Sequence, residues 1–97
     1  MEKDFEIYKT MVASTVHCKP YDFDAFRVFP DIFSCVDHDY GMSIYLGDEE
    51  NILPDLDSIR ISDGLKMLIL FAISNNCLWL KLDSDGPTYE RFPIYDW

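Results

Sequence analysis

The stretch SDGLKMLILFAISNNCLWLKL, residues 62–82, contains a change of period that decides the fold class. Leu65, Leu68, Ile69 and Ala72 recur at helical spacing and share one face. Met67, Leu70 and Ile73 widen that face, which predicts a well-buried helix. Ser62 offers an N-cap oxygen, and Asp63 places a negative charge at the positive end of the helix dipole. Asn75 and Asn76 supply a stop. From Cys77 to Leu82 the period falls to two, and CLWLKL reads as a strand.

Working upstream, Gly47 to Asp57 is polar, acidic and interrupted by Pro54, and is expected to be a loop. Two β-like runs precede it, IFSCV at 32–36 and MSIYL at 42–46. The link Asp37 to Gly41 between them fits an antiparallel hairpin with a loop of about five residues. Pro20 suits the first turn of a helix through YDFDAFRVF, with Phe23, Phe26 and Phe29 expected to face the core and Pro30 to end it. KTMVASTVH, residues 9–17, reads as the first strand. Downstream, Asp83 to Pro87 is a turn, and the aromatic tail TYERFPIYDW packs back on the domain. The order βαββαβ predicts an α+β fold: a small antiparallel sheet with two helices on one face, ferredoxin-like (a split βαβ) or a close variant.

Ninety-seven residues form one domain, here 1–97, with room for one core. Aromatics at 15 % separate the chain from disordered acidic tails, which lack them. Eighteen Asp and Glu against eight Lys and Arg give a net charge of −10. That sign opposes direct nucleic-acid binding and attraction to an anionic membrane, and a basic partner is its complement. Three cysteines, an odd number, fit buried thiols in a reducing cytoplasm. Met1-Glu2-Lys3-Asp4 does not open a signal peptide, and the apolar run Met67 to Ile73 is too short to span a bilayer.

Four D-x-D pairs recur: Asp22/Asp24, Asp37/Asp39, Asp55/Asp57 and Asp83/Asp85. In extended chain such residues point the same way, about 6.6 Å apart, and can present regularly spaced charge as a phosphate backbone does. On a helix they diverge, so Asp22 and Asp24 are secondary candidates, with dipole and Arg27 pairing as their structural role. Asp83 and Asp85 flank a Ser before Gly-Pro, where side chains usually bond their own backbone. Residues 31–57 carry eight acids and no Lys or Arg. From this segregation Asp37, Asp39, Asp48, Glu49, Glu50, Asp55 and Asp57 are the expected partner-binding residues. The alternative is a solvated acidic loop.

No phosphate loop, G-x-S-x-G or H-E-x-x-H is present, and no catalytic role is assigned. The D-x-D turns miss the EF-hand spacing, and His17, Cys18, Cys35 and His38 fall short of a zinc site. Neither a cofactor nor a metal is expected.

The ending LDSDGPTYERFPIYDW, with Ser-Thr-x-His at 14–17, resembles a phage- and plasmid-borne domain of unknown function that finishes in a Pro-x-Tyr-Asp-Trp tail. The whole chain, through VHCKPYDFDAFRVFPDIFSCVDHDYG at 16–41, resembles phage-encoded type I-F anti-CRISPR proteins of the double-stranded-DNA-mimic kind. That resemblance implies a monomeric inhibitor in the host bacterial cytoplasm. It would bind the type I-F Cascade (Csy) surveillance complex where the large subunit and the adjacent backbone subunit read the protospacer-adjacent motif (PAM), and so exclude target DNA. The rival expectation is an acidic immunity protein or antitoxin that neutralises a basic nuclease.

Overall fold

A computed structural model describes residues 7–28, 34–38, 40–47, 52–54, 56, 57 and 59–96. Strand β1 is Thr10–Ser14, and a 3-10 turn, Thr15–His17, follows it. Helix α1 is Pro20–Val28, strands β2 and β3 are Ser34–His38 and Gly41–Tyr45, helix α2 is Asp63–Ser74, and strand β4 is Trp79–Asp83. The first strand is shorter than expected because the Ser14 hydroxyl accepts the Val16 amide at 3.2 Å and turns the chain.

The α+β class holds, but the antiparallel sheet is corrected to a mixed one. Its order is β1-β4-β3-β2; β4 pairs antiparallel with β3 and β3 with β2, while β1 pairs parallel with β4. Alternation along a strand is the same in either orientation, so the pattern could not reveal this.

The β2–β3 hairpin is also tighter than expected. His38 pairs with Gly41, leaving two residues in the loop rather than about five. Gly41 is required there: its φ is +157°, and a Cβ would come within 1.9 Å of the Leu82 carbonyl oxygen.

α2 keeps its expected inner face, with Leu65, Leu68, Ile69 and Ala72 fully buried against Ala13, Met42, Ile44, Leu80 and Leu82. Each buried Leu or Ile contributes about 1.5–3 kcal/mol of transfer free energy. Of the wider apolar face only Ile73 packs against the core, and the other two are corrected: Met67 and Leu70 are exposed. One helix offers one stripe to a sheet, and these two lie outside it.

Phe23 of α1 packs against the core, while the helix buries Asp22 and Ala25 completely or nearly so. The Phe26 side chain and Phe29 lie outside the described residues. Within the expected 47–57 loop, residues 52–54 form a helical turn, and Ile52 and Leu56 enter the core. These two apolar residues, four apart, anchor the described part of this segment to the core.

The tail packs back as expected. Phe92 is buried, the Tyr95 amide donates to the Val16 carbonyl at 2.8 Å, and the Tyr95 hydroxyl accepts the Gly64 amide at 3.1 Å. No helix among the described residues is long and apolar enough to cross a membrane.

Candidate partner-binding surface

Among the described residues the helices pack on one face of the sheet, and register sorts the side chains of the other face into rows. Thr10, Trp79, Tyr45 and Ser34 form one row, and Val12, Lys81, Ser43 and Val36 the next. Ser14, Asp83, Gly41 and His38 form the third. Residues between these positions, such as Leu80 and Ile44, point into the core.

The open face carries an edge-to-face pair, Tyr45 and Trp79, with ring centroids 5.3 Å apart. Lys81 lies 3.8 Å from Asp83 on the same strand. A shallow groove runs across Thr10, Ser43, Trp79, Lys81, Val36 and His38. The Nε2 of His38 is buried and has no hydrogen-bond partner among the described residues. Aromatic rings beside a few polar groups, with little charge, are the composition of interface centres. Sequence reasoning placed these strands but missed the face. The signal was the alternation itself, which puts Trp79 with Lys81 and Ser43 with Tyr45.

The expected acidic residues divide into three groups. Asp37 is exposed in β2, not in a turn, and Asp57 is exposed but paired with Lys66 at 2.9 Å. Asp24 is exposed and lies 3.9 Å from Arg27, the pairing expected from their spacing. Asp39, Asp48, Glu49, Glu50 and Asp55 lie outside the described residues.

Asp22 is corrected: it is fully buried and cannot meet a partner. Its Oδ2 accepts the Lys19 amide at 2.8 Å and the Ser62 hydroxyl at 2.5 Å, and its Oδ1 accepts the Ser62 amide at 2.7 Å. Three donors satisfy a carboxylate that burial would otherwise make costly. Asp83 accepts the Asp85 amide at 2.9 Å, the local turn bond expected there.

The Ser-Thr-x-His and C-terminal patches meet in space, and His17 joins them. Its Nδ1 donates to the Pro93 carbonyl at 2.8 Å, and its Nε2 accepts the Tyr89 amide at 3.0 Å. That fixes a neutral imidazole with its proton on Nδ1. Both ring nitrogens are therefore occupied by backbone. Among the described residues, no three His, Cys, Asp or Glu side chains are placed to hold a metal ion.

Cys18 and Cys35 run opposite to activated nucleophiles. Burial, with a smaller contribution from Asp22, pushes the Cys18 thiol far above the ordinary range. Burial, and then Asp37, pushes Cys35 up to about 12. Both thiols stay protonated at neutral pH, whereas catalytic cysteines sit in positive surroundings that lower the pKa.

No curated protein and no solved structure matches the chain. Residues 10–97 match the family model described as Family of unknown function (DUF5983) C-terminal domain, and the chain belongs to that family.

Proposed function

We propose that this chain is a non-catalytic inhibitor that uses its negative charge to occupy a basic surface built to read DNA. One observation carries the reading: residues 31–57 hold eight acids and no Lys or Arg, within a chain of net charge −10. Solubility alone needs charge, but not charge of one sign gathered into one segment. Asp37 and Asp57 are the described members of that segment, and both are exposed.

The partner we propose is the type I-F Cascade (Csy) surveillance complex, at the PAM-reading region of its large subunit and the adjacent backbone subunit. A surface that reads PAM duplex aims Lys and Arg at phosphates and base edges. Carboxylates placed against those side chains form short, charge-assisted hydrogen bonds and exclude the duplex. Long-range attraction speeds the encounter, and aromatic contacts prolong the complex. The raised thiol pKa values of Cys18 and Cys35 and the doubly bonded His17 ring agree with a role that uses no nucleophile. The test is displacement of labelled PAM duplex from the purified surveillance complex.

A further inference from the structure

The two edges of the sheet are treated differently. Along β1, the Tyr89 hydroxyl donates to the Val12 carbonyl at 2.7 Å, and the Ser14 amide donates to the Pro87 carbonyl at 2.8 Å. The tail thereby seals that edge. Along β2, residues 34–38 pair with β3 on one side only, and no described residue bonds to the other side. Every second amide and carbonyl of β2 therefore faces outward, the arrangement that templates pairing with another strand.

We propose that β2 takes a fifth strand: an extended segment of a partner protein, rich in Lys or Arg, that adds along this open edge. The sign of the partner's charge rests on the inhibitor reading above; the strand addition rests on the unpaired edge. Main-chain bonds would give such a complex its affinity, and alternate side chains its selectivity. Exposed Asp37 lies on the helix side of the sheet, in the row of Met42, and exposed Val36 lies on the open side, in the row of Ser43. The added strand should then alternate, with a cation beside Asp37 and an apolar side chain beside Val36. Charge disfavours a second copy as the occupant. Two chains of net charge −10 would meet with Asp37 of each on the same five-residue edge.

The test uses the full chain, labelled with nitrogen-15, and an eight-residue peptide alternating lysine with valine at low salt. Amide shifts should centre on 34–38, and exchange of the outward amides there should slow at least tenfold at saturating peptide. Asp37→Lys should weaken binding at least fivefold while the core amides of α2 keep their protection. Methylating every second peptide nitrogen should abolish binding. No binding, shifts centred elsewhere, or unchanged binding of the methylated peptide would overturn strand addition. Equal binding of a glutamate–valine peptide would overturn the charge selection taken from the inhibitor reading. Protection of β2 that rises with chain concentration, without peptide, would show that a second copy is the occupant and overturn the proposal.

Discussion

The Asp22 carboxylate holds Ser62 by both its amide, at 2.7 Å, and its hydroxyl, at 2.5 Å, so one buried acid ties together the starts of both helices. The same carboxylate accepts the Lys19 amide just before α1. The Ser62 hydroxyl in turn accepts the Leu65 amide at 3.2 Å and caps α2.

Asp22→Ala would leave three donors without their acceptor, and each buried unsatisfied group costs about 1–3 kcal/mol. The expected loss is about 3–5 kcal/mol in urea unfolding. Asp24→Ala, at an exposed position, should change stability by less than about 0.5 kcal/mol. Equal effects of the two substitutions would show that Asp22 does not hold the helices together.

Tyr89→Phe removes the hydroxyl that donates to the Val12 carbonyl. The expected cost is about 1 kcal/mol. His17→Phe keeps an aromatic ring but strands the Tyr89 amide and the Pro93 carbonyl, and should cost about 2–4 kcal/mol. Thermal unfolding of both variants checks this ordering. A larger loss from Tyr89→Phe would place the main anchor of the tail elsewhere.

Cys35 should alkylate slowly at pH 8 and about tenfold faster per pH unit up to about 11, since its pKa is pushed up to about 12. The sign for stability follows from linkage. The unfolded thiol ionises near 9 and the folded one near 12, so this contribution is fully present below pH 9 and is lost as pH rises toward 12. Labelling kinetics with mass-spectrometric site assignment check the rates. Labelling of Cys35 at a free-thiol rate at pH 8 would contradict the burial seen here.

Reversing Asp48, Glu49, Glu50, Asp55 and Asp57 together should weaken partner binding at least tenfold, whereas reversing Asp83 and Asp85 together should stay within about twofold. Binding to the surveillance complex, measured at two salt concentrations, checks this. Equal losses at both places would remove the localised-surface account.

Much of the fold was legible because two periods carry it. Leu65, Leu68, Ile69 and Ala72 fixed the inner face of α2, and the alternation from Trp79 to Leu82 fixed β4. Strand neighbours were not legible, because alternation records which face is buried and not which strand lies alongside. The partnership of β1 with β4 spans most of the chain. Asp22 was misread for a related reason. Helical spacing placed it correctly in the first turn of α1, but two of its three hydrogen bonds come from Ser62, forty residues away. The acidic surface is legible only as charge density, which names residues and not their geometry. Asp37 shows the difference: it was read in a turn and lies in a strand.

The most direct measurement is competition for the surveillance complex. Purified type I-F complex is mixed with labelled PAM-containing duplex, with and without this protein, at about 50 and 200 mM salt. The account predicts loss of duplex binding that weakens at the higher salt. Duplex binding unchanged by the protein at both salt concentrations would contradict it.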